Sequence, residues 1–180
     1  MSKNTPFKCK FSYRQIPSLS KRYLDSQINR RSELRDDFLA EVVSHTKKDG
    51  FMKRENFLAL YRWKSERTIG LAQKNSNFLI EESTKISLLA KTEEVRIGAL
   101  MILRGVDWPV ASAILHWVSC DPYPLLDFRA LWSLSINKTP TYNFDFWWSY
   151  VEICRKIADQ AGVSMRDLDR ALWQFSDENQ

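Results

Sequence analysis

Cysteine and histidine are scarce in this chain of 180 residues, with three and two copies. Cys9, Cys120 and Cys154 are too few and too widely spaced for a disulfide framework, a four-thiolate metal site or an iron–sulfur cluster. With only His45 and His116 beside them, a zinc site is disfavoured too, so the thiols read as buried free cysteines and neither metal nor cofactor is expected. Long apolar runs are missing as well. None approaches the eighteen or so residues of a membrane span, and the start Met-Ser-Lys-Asn-Thr lacks a signal-peptide core. These absences give the expectation of a cytoplasmic protein without a membrane partner. Sustained apolar–polar alternation is also absent, so no strand is expected. There is no low-complexity tract, and Arg129-Ala-Leu-Trp132 and Arg170-Ala-Leu-Trp173 echo each other without making a repeat.

What is present belongs to a globular chain. Hydrophobic residues make up 44%, seven of them Trp, enough for one domain or two joined lobes with a proper core. The net charge of +5 is uneven: residues 1–70 hold 16 Lys+Arg against 8 Asp+Glu, and residues 71–180 hold 11 against 14. A basic half suits an anionic polymer, because neutralising phosphates releases counterions, though a positive face also serves solubility alone.

Residues 1–19 look irregular. A charged helical pattern runs from Ser20 to Thr46, with Leu24, Ile28, Leu34, Phe38 and Val42 as its apolar positions, and Gly50 is placed to end it. Phe51 to Lys64 reads as a helix with Met52, Phe57, Leu58 and Tyr61 facing inward. Ser65 can cap a short helix over 66–74, and Ser76 or Asn77 one reaching Ala90. Thr92-Glu-Glu-Val starts the next helix, which stops at Gly105, and another spans Trp108 to Ser119. Asp121-Pro122-Tyr123-Pro124 must be extended, since proline disfavours a helical residue before it. Leu126 or Asp127 begins a helix to about Ser135. Phe144 to Ala161 is strongly helical before Gly162, and Ser164 caps the last helix, 165–175. The expected fold class is all-α, two helical lobes, with a basic N-terminal region (1–91) and a C-terminal region (92–180).

The functional clue lies in residues 100–132. Gly105 permits a left-handed turn, and a new helix follows within three residues. The first amides of that helix and the positive end of its dipole make an anion site. Arg104 can add a charge-assisted contact. A plain helical hairpin with a glycine cap is the simplest reading of this segment alone. Leu103, Gly105, Val106, Ala111, Ile114, Leu115, Pro124 and Asp127, however, match the motif of the helix-hairpin-helix superfamily of DNA base-excision glycosylases. Tyr123-Pro-Leu-Leu-Asp127 is similar to the corresponding stretch in its adenine glycosylase branch. The resemblance covers residues 93–135, a quarter of the chain.

The resemblance implies an all-α helix-hairpin-helix fold, double-stranded DNA as partner and Asp127 as catalytic carboxylate. A carboxylate stabilises the positive sugar formed as the base departs and orients the attacking water. Asp127 as a mere N-cap is the alternative, and the two roles are compatible. The candidate DNA-binding residues are Arg104, Gly105, Val106, Asp107, Trp108, Ser112 and Arg129, the last able to reach the backbone or pair with Asp127. Two positions depart from the motif. Asp107 stands where the family has a second glycine, either repelling a phosphate or capping the next helix. Pro109 stands where strand-cleaving members carry a lysine, so no Schiff base can form there. The acid that the adenine branch uses to protonate its base has no counterpart that can be placed. Candidate base-holding aromatics are Tyr61, Trp63, Trp108 and the cluster Phe144, Phe146, Trp147, Trp148 and Tyr150, most of them at core spacing; His116 reads as a core histidine. The expectation is a DNA-binding protein resembling a monofunctional DNA glycosylase. A non-enzymatic DNA-binding relative and a protein-interaction domain are the alternatives.

Overall fold

A computed structural model describes residues 7–138 and 140–180. The described chain is all-helical, with no strand and no cis peptide. The helices are α1 (Ile16–Gln27), α2 (Asp36–Asp49), α3 (Arg54–Ser65), α4 (Ile69–Ala72), α5 (Asn77–Leu89), α6 (Glu93–Met101), α7 (Trp108–Val118), α8 (Phe128–Ser133), α9 (Phe144–Ala161) and α10 (Met165–Asn179). They form two compact units. Unit 1 joins the chain up to Asn29 to Pro122–Gln180, and unit 2 is the continuous segment Arg30–Asp121. The division expected near Lys91 falls inside unit 2, in the short turn between α5 and α6.

Unit 1 is built on α10, which packs on α1, α8 and α9. Ser164 caps it, accepting from Asp167 N–H at 3.0 Å, and its apolar stripe includes Met165, Leu168 and Leu172. Tyr23 of α1 meets Trp173 edge-on, with ring centroids 5.4 Å apart, and Phe11 packs on Phe175 at 4.7 Å. Ser20 and Arg22 add polar ties from α1 to Asp167 and Glu178. α9 begins on the Asn143 cap and ends where Gly162 turns left-handed.

Unit 2 is built on α7. Val110, Ala111, Ser112, Ala113, Ile114, Leu115 and Val118 are all buried, so this helix is apolar nearly all round and sits inside its unit. It packs on α2, α3 and α6, and α5 lies against α6. Each large aliphatic side chain so covered contributes about 1.5–3 kcal/mol relative to exposure.

The helix expected over 20–46 is corrected. The chain breaks between α1 and α2, through a short 3-10 turn at Ser32–Leu34 and an extended Arg35. The apolar phase also differs: Leu24, Ile28 and Phe38 are exposed, while Leu19, Tyr23, Leu39 and Val43 are buried. Continuity across a charged stretch had hidden two helices with separate faces, one in each unit.

Candidate functional site

The hairpin forms within unit 2. α6 ends at Met101, and the chain turns through Leu103 and Arg104 to Gly105, whose φ is +83°. A Cβ at Gly105 would lie 2.7 Å from Tyr61 Oη and 2.9 Å from Leu71 Cβ, so both its dihedral and its surroundings demand glycine. Asp107 then caps α7: its carboxylate accepts from Val110 N–H at 3.2 Å and its carbonyl from Ala111 N–H at 2.8 Å. Of the two roles open to Asp107, its side chain takes the cap. Pro109 falls in the first turn, where a missing N–H costs nothing.

Two side chains fix this turn from outside it. Asn75, 2% exposed, accepts from Arg104 N–H at 2.8 Å and donates to Arg104 O at 3.0 Å and Ala72 O at 2.9 Å. Arg54 in turn donates to the carbonyls of Asn75 and Gln73. Tyr61 donates to Gly105 O at 3.0 Å. Its one hydroxyl hydrogen is thereby committed, so Thr68 donates to Tyr61 and Ser65 to Thr68, each at 2.9 Å. These groups line a cavity of about 350 Å³ with Leu71, Val106, Asp107 and Val110.

The candidate DNA contacts are therefore unevenly placed. Arg104 and Asp107 are exposed, Gly105 and Trp108 half-buried and Val106 buried. Among the described residues Arg104 has no ion-pair partner, and the amides of Gly105 and Asp107 have no acceptor. Val106 N–H is taken by Leu103 O at 3.0 Å. Ser112 is corrected: it is 0% exposed, because it lies on a helix buried nearly all round, and it has no surface to offer a phosphate. The thiols are corrected in part, since Cys154 is buried but Cys9 only half so and Cys120 exposed. His116 is half-buried with its ring 5.6 Å from that of Trp117.

Asp127 belongs to unit 1. It is half-buried and caps α8, its carboxylate accepting from Arg129 N–H at 2.9 Å. The stretch before it is extended, as two prolines require. Arg155 donates to Pro122 O at 2.9 Å and covers the Tyr123 ring at 4.8 Å, while Trp147 stacks on that ring at 9°. Leu125 has its N–H held by Asp169 Oδ1 at 3.1 Å and its carbonyl by Tyr150 Oη at 2.8 Å. Burial pushes the Tyr150 hydroxyl well above its usual range, helped by Cys154, Asp169 and Asp127, so it stays protonated as a donor. Burial likewise raises the Cys154 thiol and leaves it inert. Arg129 pairs with Asp177 at 3.0 Å and lies over Trp173 at 4.8 Å, so its ion pair is not with Asp127.

The structure thus gathers residues 104–108 in one unit and sets Asp127 and Arg129 in the other. Sequence reasoning missed Asn75, Thr68, Asp169 and Arg155 entirely, and gave Tyr61 and Tyr150 no polar task. Asp169 had a visible signal, an acid in phase with Met165, Leu168 and Leu172 on the apolar stripe of α10. Asn75 had none, since Lys74-Asn75-Ser76 reads as a solvated link. Among the described residues no three or more His, Cys, Asp and Glu side chains cluster to hold a metal ion, and no helix is long and apolar enough to cross a membrane. No protein-family model, curated protein or solved structure matches the chain.

Proposed function

We propose that this protein binds double-stranded DNA through the 103–108 hairpin and that Asp127 is the carboxylate of a base-hydrolysing site. The observation that carries the reading is the turn itself. Asn75 and Tyr61 hold its backbone, while the amides of Gly105 and Asp107 and the side chain of Arg104 are left to an outside partner. A preorganised amide pair with one cation suits a phosphate oxygen. Asp127 is likewise fixed in direction by its bond from Arg129 N–H. In the proposed reaction water bonds to C1′ of the sugar, the bond from C1′ to the base breaks, and the base leaves with a proton. Asp127 steadies the cationic sugar and the water. Pro109 offers no amine, so the strand is left uncut.

Binding is tested by fluorescence anisotropy on duplex DNA across a salt series. Affinity falls log-linearly with salt, and Arg104→Ala lowers the slope by about one. Asp107→Asn keeps the cap but removes the charge, so affinity rises about two- to fivefold, the size of one helix-end charge term. An absence of binding at low salt overturns the reading. Chemistry is tested by alkali cleavage of oligonucleotides carrying assorted lesions. Asp127→Asn abolishes base release, whereas undiminished release removes Asp127 from the mechanism. Binding without release from any substrate leaves the non-enzymatic reading, which the charge of Asp107 and the Arg129–Asp177 pair favour.

A further inference from the structure

Leu125 has both of its backbone groups held by side chains from elsewhere in unit 1: Asp169 takes its N–H and Tyr150 its carbonyl. Both side chains are expensive to bury. Tyr150 is fully buried and Asp169 is 4% exposed, and an acid on the apolar stripe of a helix destabilises unless its oxygens are used. The Tyr150 ring packs beside Phe7, but apolar packing makes no use of its hydroxyl or of the Asp169 carboxylate. What they share is one target, two residues before Asp127.

We infer that Tyr150 and Asp169 are positioning residues, which hold the peptide at Leu125 from both sides and thereby set the direction of the Asp127 carboxylate. The arrangement follows from chain mechanics. Leu126 is buried, so the only freedom between the clamp and Asp127 lies in a few dihedrals. The orientation of Asp127 is then closed by its bond from Arg129 N–H at 2.9 Å. Upstream, Arg155 donates to Pro122 O and Trp147 stacks on the Tyr123 ring. A carboxylate that must meet a developing charge needs this second layer of support, since small displacements reduce rate sharply. The inference rests on the proposed role of Asp127 for its catalytic meaning, but the geometric claim stands apart from it.

The test uses the full chain and two readouts. The first is the amide resonance of Arg129 followed from pH 7 to pH 3, which reports the Asp127 carboxylate beside it. Tyr150→Phe and Asp169→Leu reduce that titration amplitude at least threefold and speed hydrogen exchange at Leu125. Asp169→Asn, whose side-chain oxygen still accepts from Leu125 N–H, restores the wild-type amplitude. Ile157→Val, a buried change on α9 that leaves the Tyr150 hydroxyl and the Asp169 carboxylate in place, lowers thermal stability without altering the Arg129 signal and so separates positioning from general loosening. The second readout is single-turnover base release, where Tyr150→Phe lowers the maximal rate constant at least tenfold with half-saturation unchanged.

A wild-type Arg129 titration in folded Tyr150→Phe and Asp169→Leu overturns the inference. If Asp169→Leu does not fold, Tyr150→Phe against Ile157→Val decides it. Base release that needs Asp127 but ignores Tyr150 and Asp169 also overturns it, and leaves the proposed function intact. An Arg129 signal that responds as expected in a protein that releases no base upholds the positioning and removes the hydrolytic reading.

Discussion

Gly105 answers two demands at once, a left-handed dihedral and a contact too close for any side chain. Gly105→Ala therefore destabilises by about 1–3 kcal/mol from the backbone alone. The Leu71 Cβ at 2.9 Å adds to this, since an atom next to the main chain moves only with its helix. Urea denaturation measures the loss, and a change below about 0.5 kcal/mol would mean the turn tolerates another conformation. Asn75→Ala is the companion change: it strips partners from Arg104 N–H, Arg104 O and Ala72 O together. The expected cost is about 1–3 kcal/mol for the buried groups left unpaired. Asn75→Asp should cost at least as much, because a carboxylate would face the two carbonyls that the amide now serves. The glycine was readable in the sequence as a helix stop. The partners of the turn were not, because Asn75 reaches Arg104 across 29 residues and Tyr61 reaches Gly105 across 44, and no local pattern records such pairs.

At the scale of elements, legibility followed the caps. Asp107, Asp127, Asn143 and Ser164 each bond an amide of the helix they begin, and helices α7 to α10 start within a residue or two of where those side chains predict. The stretch 20–46 has no such punctuation, since neither Arg31 nor Arg35 makes a side-chain cap bond, and there neither the break nor the buried face is legible. The tie between α1 and α10 also lay beyond local pattern, and it yields a pH dependence. Glu178 is held below its ordinary value of 4.5 by hydrogen bonds from Arg22 and Gln174. Asp167 is lowered too: burial alone would raise it, but Ser164, Ser20 and Arg170 together outweigh that. A depressed folded pKa gives stability that is present above the ordinary carboxylate range and is lost as pH falls through the folded value. Glu178→Gln should accordingly lower Tm by about 1–3 °C at pH 7, as fits an exposed two-bonded pair. The two melting curves should converge as pH drops below 4.5. A difference that persists at pH 3 would assign the loss to packing.

At the scale of the molecule, the charge contrast between the two ends of the sequence does not survive folding. Unit 2 holds 15 Lys+Arg against 13 Asp+Glu and unit 1 holds 12 against 9, because the basic N-terminal stretch is shared between them. Overall basicity then singles out neither unit as a surface for an anionic polymer. The connectivity has a sharper consequence. Unit 2 is one unbroken segment of 92 residues with its own buried set, among them Leu39, Met52, Phe57, Ile80, Ile97, Leu100 and Ile114. Unit 1 needs both ends of the chain, since α10 packs on α1. Residues 30–121 expressed alone should therefore give a helical spectrum and a single cooperative thermal transition. Residues 122–180 alone should not, because Trp173 and Phe175 lose Tyr23 and Phe11 and stand exposed. Supplying a peptide of residues 7–29 should restore helicity to 122–180 with saturable binding. Circular dichroism on the three samples decides it. A cooperative 122–180 would show that α8, α9 and α10 suffice for a core, and an unfolded 30–121 would show that the hairpin depends on the rest of the chain.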